Sequence, residues 1–163
     1  MATPNTADRL LDSAQRMVQL RGFNAFSYAD LAEEIGIRSA SIHYHFKTKV
    51  DLGEALLGRY VAELEASLEA LDGEQVSARQ RLELLIDGYR DTERCGFMCL
   101  CGSLASDVGT LPPSMRSLID EYLSRTEAWV TREIERGARS GEFKPVAAAE
   151  DLASMLVCGL QGA

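Results

Sequence analysis

Apolar residues recur at spacings of three and four through almost the whole chain, and the breaks between these stretches fall at glycine, proline or serine. That period predicts helices throughout, an all-α fold. The first helix is expected over residues 6–21, with Leu10, Leu11, Ala14, Met17, Val18 and Leu20 on its apolar side. Gly22 stops it, and Phe23 and Phe26 then turn inward as core anchors. Two short helices follow within Ser27–Lys49. Leu31 and Ile35 share one face of the first, and Gly36 is placed to end it in the left-handed conformation. Ile37, Ile42 and Phe46 hold the pair together, with the small side chain of Ala32 where they cross. Ser27 and Asp30 have capping-box spacing, and Ser39 is the expected N-cap of the second helix. This is helix-turn-helix spacing.

Beyond it, Thr48 and Asp51 repeat the capping pattern and open a long helix over 48–71, on which Leu52, Ala55, Leu56, Tyr60, Leu64, Leu68 and Leu71 recur at helical spacing. About 24 residues make it roughly 36 Å long, enough to leave a small N-terminal domain and enter a second bundle. Asp72-Gly73 ends it. Ser77 begins a helix with Leu82, Leu85, Ile86 and Tyr89 on one side, fading near Cys95-Gly96. Residues 97–108 are apolar almost all round and predict a short internal helix. After the break at Gly109–Pro113, a helix is expected over 114–140, and another begins after Pro145. The chain stops inside that last helix with no breaker beyond Gly159 and Gly162, so more residues are expected after Ala163. The division expected is 1–49 as a helix-turn-helix domain and 50–163 as a larger helical bundle.

Projected at about 100° per residue, the second short helix turns Ile42 and Phe46 inward. Ala40, His43, Tyr44 and Lys47 fall on the opposite side, flanked by Ser39, Ser41 and His45. That face is polar, aromatic and free of acids. Base edges are read by hydrogen bonds and apolar contacts, and phosphates are gripped by cations, hydroxyls and backbone N–H groups. The face therefore predicts contact with double-stranded DNA, with Ser39, Ser41 and His43 toward bases and Arg38, Tyr44, His45, Lys47 and Lys49 toward the backbone. The alternative is a solvated helix pair in an ordinary helical domain.

A net charge of −8 argues against a nucleic-acid binder, but its distribution answers the objection. Residues 1–50 carry a net +1, the remainder a net −9, and both histidines of the chain, His43 and His45, lie on the reading helix. With 46% hydrophobic residues the chain can bury a sizeable core. No run approaches the ~18 apolar residues of a membrane span, and no basic start with an apolar stretch marks a signal peptide. A cytoplasmic protein is expected. An enzyme finds little support: there is no glycine-rich phosphate loop, no paired-cysteine metal motif and no Ser-His-Asp set, so neither metal nor cofactor is expected.

The run Asp8–Leu57 resembles the N-terminal domain of the TetR family of transcriptional regulators. The residues that carry the resemblance are Leu20-Arg21-Gly22-Phe23, Phe26-Ser27, Asp30-Leu31-Ala32, Ile35-Gly36-Ile37, Ser41-Ile42-His43-Tyr44-His45-Phe46 and Lys47-Thr48-Lys49. Ala40-Ser41 stands where many members have Gly-Thr or Gly-Ala, and Asp51-Leu52-Gly53 replaces the commoner Glu-x-Leu. The resemblance implies that Tyr44, His45 and Lys49 contact phosphates. It also implies a homodimer joined through helices 114–140 and 147–163, which gives two reading helices for the two halves of a palindrome. A small-molecule cavity in the second domain is implied as well, with Leu64, Leu68, Tyr89, Phe97, Met98, Leu100, Tyr122 and Trp129 as candidate lining. Any one of these is also an ordinary core residue by type and spacing. Few charges fall on the inward stripes, which favours an apolar or aromatic effector of a repressor.

Cys95, Cys99 and Cys101 crowd into seven residues, Cys95 and Cys99 at one-turn spacing and Arg94 beside them. They offer a redox- or electrophile-sensing repressor as an alternative input, against their being small buried hydrophobes. Cys158 reads as helix packing. A helical ligand-binding protein that never touches DNA is the remaining alternative, and the face of residues 38–49 separates it from a regulator.

Overall fold

The computed structural model describes residues 5–162, whose regular structure is helical. In order come α1 (Thr6–Arg21), a 3-10 turn (Phe23–Ala25), α2 (Tyr28–Ile35), α3 (Ser39–His45), α4 (Lys49–Gly73), α5 (Ala78–Arg94), α6 (Leu100–Ala105), α7 (Pro113–Ser140) and α8 (Ala149–Gly162). Two compact units emerge. Among the described residues, the first holds 5–60 together with Leu100–Ile119, and the second holds Val61–Cys99 and 120–162. Helices α4 and α7 thus each give their first part to one unit and their second part to the other.

In the first unit α1 buries Leu10, Leu11, Ala14, Met17 and Val18. Its polar side is tied to α2 and α4. Arg9 donates to the Ile35 carbonyl at 3.1 Å, where the end of α2 leaves carbonyls unpaired, and Arg16 pairs with Glu34 at 2.7 Å. Arg59 of α4 meets Asp12 at 2.7 Å and donates to the Gln15 amide oxygen at 3.0 Å. The corner after α1 is held by a carboxylate far off in sequence: Asp107 accepts from the Phe23 amide at 2.8 Å, the Asn24 amide at 3.3 Å and Asn24 Nδ2 at 3.0 Å.

The helix-turn-helix is closed by local chemistry. Ser27 caps α2 in a reciprocal box with Asp30, whose carboxyl the Ser27 hydroxyl and amide hold below its ordinary value. Gly36 adopts φ 70, and the Ile37 amide returns to the Ala32 carbonyl at 3.0 Å while the Gly36 amide meets that of Glu33 at 3.3 Å. That is the Schellman pattern, which needs a left-handed residue, a backbone conformation that glycine adopts without the strain a Cβ brings. Thr48 and Asp51 exchange hydrogen bonds of 3.0 and 3.1 Å at the start of α4, as their spacing predicts. Ser39 is not the cap of α3. Arg38 takes the extended cap conformation with no side-chain capping bond, and Ser39 is already the first helical residue.

In the second unit Val61, Leu64 and Leu68 of α4, Leu85 of α5, Tyr122, Trp129, Val130 and Ile134 of α7, and Ala153 and Val157 of α8 are buried. Trp129 is 1% exposed and its indole N–H donates at 3.0 Å to Asp72, an exposed residue, so its polar edge is satisfied at the margin of the core. The end of α7 is crowded: a Cβ on Gly137 would lie 2.2 Å from Phe143 Cδ2 and Cε2. Gly137→Ala is therefore expected to cost about 1–3 kcal/mol through forced repacking of that ring, read as a lower midpoint in urea. An unchanged midpoint would mean the Phe143 ring moves aside freely.

The expected internal helix over 97–108 is shorter than its apolar run. Gly96 has φ 79, and the Phe97 amide bonds back to the Thr92 carbonyl at 3.2 Å, a second Schellman closure that makes Phe97–Cys99 a connector. Only Leu100–Ala105 is helical, followed by turns.

Candidate nucleic-acid interface and effector unit

Helix α3 rests on the first unit through Ile42 and Phe46, 0% and 8% exposed, and turns its other face to solvent. Arg38, Ser39, Ala40, Ser41, His43, Tyr44, His45 and Lys47 are all exposed there, Tyr44 to 86%. No acid lies between Glu34 and Asp51. Tyr44 and His45 meet edge to face, centroids 5.3 Å apart at 88°, forming a small aromatic ridge.

His43 is held more firmly than its exposure suggests. Its Nδ1 lies 3.0 Å from the Lys47 carbonyl oxygen, and its ring meets that of Tyr28 at 4.9 Å and 61°. Tyr28 is fixed in turn, its hydroxyl donating to the Thr48 carbonyl at 2.5 Å and the Phe46 carbonyl at 3.1 Å. Burial, with help from the Asp51 charge, pushes that phenol up to about 12, so it stays protonated and keeps donating. Sequence reasoning missed Tyr28. Its place as the first residue of α2 marks it as close to the turn, but nothing in its spacing shows the hydroxyl reaching residues 46 and 48.

Lys49 is a correction. The resemblance implies a phosphate contact, yet its ammonium turns into the protein, donating to the Phe23 carbonyl at 2.5 Å and also to that of Phe26. It sits over both rings, 4.8 and 4.1 Å from their centroids. Burial lowers its proton affinity, and the carboxylates of Asp107 and Asp30 work the other way. It braces the Phe23–Phe26 corner through carbonyls, as Asp107 does through the Phe23 and Asn24 amides.

The candidate effector residues divide. Leu64, Leu68, Tyr122 and Trp129 are buried in the second unit, and Tyr89 and Phe97 are half-buried. Met98 is 45% exposed, and Leu100 is buried in the first unit, so these two do not join the others in the second unit's interior. The Tyr89 and Tyr122 hydroxyls meet at 3.0 Å, the Gln161 amide donates to Tyr89 at 3.5 Å, and the Cys99 thiol approaches Tyr122 at 3.9 Å. Burial, then the Cys99 charge, pushes Tyr89 up to about 12. Gln161 was missed from sequence because it lies 72 residues from its partner.

Cys95 and Cys99 do not lie on one helix, contrary to what their spacing predicts. Cys95 caps the end of α5 and is exposed, whereas Cys99 and Cys101 are buried. The reversal at Gly96 separates Cys95 from Cys99, so they share no helical turn. Arg94 pairs with Asp91 at 2.9 Å. Cys158 is exposed on α8. Among the described residues no group of three His, Cys, Asp or Glu is placed to hold a metal ion, and no helix is long and apolar enough to cross a membrane.

Comparison with known proteins agrees with this geometry. Residues 10–56 match the model of bacterial regulatory proteins of the tetR family, and residues 78–163 match that of the tetracyclin repressor-like C-terminal domain. The chain is 29% identical over 163 residues to the HTH-type transcriptional repressor ComR of Escherichia coli, covering 95% of this chain and 76% of that one. Among solved structures, a TetR transcriptional regulator from Legionella pneumophila is 29% identical with a TM-score of 0.90, covering 99% of this chain and 86% of its own. A TetR-family regulator from Agrobacterium tumefaciens is 30% identical with a TM-score of 0.91, covering 96% and 84%. With an N-terminal helix-turn-helix, a helical second half and both halves matched, the chain belongs to the TetR family and is a ligand-responsive, DNA-binding transcriptional regulator.

Proposed function

We propose that the protein is a cytoplasmic repressor that binds a palindromic operator as a homodimer through the exposed face of α3, and that a small apolar or aromatic effector in residues 50–163 releases it. The observation that carries the reading is the acid-free surface of Arg38, Ser39, Ser41, His43, Tyr44, His45 and Lys47 above buried Ile42 and Phe46. Arg38, Tyr44, His45 and Lys47 serve the phosphates, and Ser39, Ser41 and His43 face base edges. Residues 1–49 make the DNA contact. Leu64, Leu68, Tyr89, Phe97, Tyr122 and Trp129 are the effector candidates retained, with α7 and α8 as the dimer helices. Release requires that the effector bind one conformation better than the other.

Lys47→Ala tests the surface. Fluorescence anisotropy with a random-sequence duplex and with duplexes selected from a random pool should show equal weakening on both, and a slope of log K against log salt shallower by about one. An unchanged slope would set aside α3 as the contact surface.

A further inference from the structure

The position of the Lys47 carbonyl fixes what His43 is able to read. A carbonyl oxygen only accepts, so the imidazole nitrogen 3.0 Å from it must carry the proton. In the neutral ring the other nitrogen, Nε2, is then an acceptor with a bare lone pair. We propose that His43 Nε2 accepts a hydrogen bond from an exocyclic amine in the major groove, N6 of adenine or N4 of cytosine, and so sets base preference at one position of each half-site. This rests on the reading of α3 as the DNA contact surface.

Three observations support it. Turning the ring over would put a carbon against the Lys47 carbonyl and lose that bond, and the ring plane is held by Tyr28, 4.9 Å away and itself tied to the carbonyls of residues 46 and 48. The Lys47 carbonyl lies between those two in sequence, so α2, the end of α3 and the following loop hold the imidazole as one block. His43 is exposed, and Nε2 has no protein partner among the described residues. No other side chain on the face is committed to accepting: Arg38 and Lys47 are donors only, the hydroxyls of Ser39, Ser41 and Tyr44 serve either way, and no Asp, Glu, Asn or Gln lies between residues 36 and 49. His45, placed toward a phosphate, must donate to it. His43 Nε2 is the side-chain atom on the face that can only accept, and in the major groove the available donors are the amines of adenine and cytosine.

The experiment is a cycle between residue and base. Duplexes are selected from a random pool with the wild-type protein and with His43→Ala, which locates the base position whose preference depends on His43. At that position adenine is then replaced by unsubstituted purine, or cytosine by pyrimidin-2-one, each of which lacks the amine. Wild-type affinity is expected to fall roughly five- to tenfold on loss of this one hydrogen bond, and the His43→Ala affinity to be indifferent to the change. His43→Arg, a donor only, should move the preference at the same position to guanine, whose edge offers O6 and N7. Coupling of His43 to a 7-deazapurine in place of the amine deletion would show Nε2 donating and overturn the proposal. So would identical selections by the wild type and His43→Ala, with DNA binding and the rest of the α3 surface left intact. Failure of the wild type to bind any duplex would instead remove the reading of α3 on which the proposal stands.

Discussion

Arg81→Met is expected to destabilise the second unit by about 3–5 kcal/mol at neutral pH, the usual result of leaving a buried charge without its partner. Glu133 is 0% exposed and Arg81 7%. Their charges stand 3.5 Å apart. Arg81 also donates to the Glu74 carbonyl at 2.6 Å, stitching the end of α4 to α5 and α7. The Glu133 oxygens make no geometric hydrogen bond among the described residues, so the carboxylate depends on charge pairing with Arg81 and, at 3.5 Å, with Arg136. Burial raises its proton affinity above the ordinary 4.5, and Arg81 opposes that rise most. A carboxyl raised by folding favours the native state below its unfolded value and loses that contribution as pH climbs through its folded one. Removing Arg81 raises the folded value further, so the deficit should be small near pH 4.5 and grow toward neutrality. Urea melts of the wild type and Arg81→Met at several pH values measure it. Adding Glu133→Leu should recover most of the loss, because an apolar pair needs no partner. A deficit that is the same at every pH would assign the effect to packing of the arginine stem alone.

That pair shows where sequence reasoning ran out. Helix ends were legible because the chemistry that makes them lies within five residues: Ser27 with Asp30, Gly36 with Ala32, Thr48 with Asp51, and Ser77 at the opening of its helix. Inward and outward faces were legible too, since the helical period alone puts Ile42 and Phe46 in and Tyr44 out. Bonds between distant residues were not. Asp107 binds the Phe23 amide across 84 positions, Arg81 meets Glu133 across 52 and Gln161 meets Tyr89 across 72, and neither composition nor period marks those partners. Where a long side chain goes is equally hidden: the period puts Lys49 near the surface, but a flexible four-carbon stem lets its ammonium reach back to two carbonyls. The cysteines failed for a simpler reason. One-turn spacing assumes an unbroken helix, and Gly96 breaks it between Cys95 and Cys99.

Lys49→Ala separates bracing from phosphate contact. A lysine on a phosphate adds about one to the salt slope and little to the fold; a lysine under two carbonyls does the reverse. The structure places the ammonium on the Phe23 and Phe26 carbonyls and over their rings. Charged hydrogen bonds contribute about 1.5–3 kcal/mol and the ring contacts a further fraction, so the expected loss is roughly 2–3 kcal/mol in the first unit. Lys49→Met retains most of the stem and should lose nearly as much, which assigns the effect to the ammonium. At a temperature where the variant is still folded, its salt slope on random duplex should equal that of the wild type, whereas Lys47→Ala makes the slope shallower. A slope shallower by one with an unchanged melting midpoint would return Lys49 to the DNA. With the slope kept and the midpoint lowered, Lys49 acts on the duplex only through the Phe23–Phe26 corner, which Asp107 also holds through the Phe23 amide; Asp107→Asn should then lower the same midpoint, because the amide keeps one acceptor but loses the charge that favours the Lys49 ammonium.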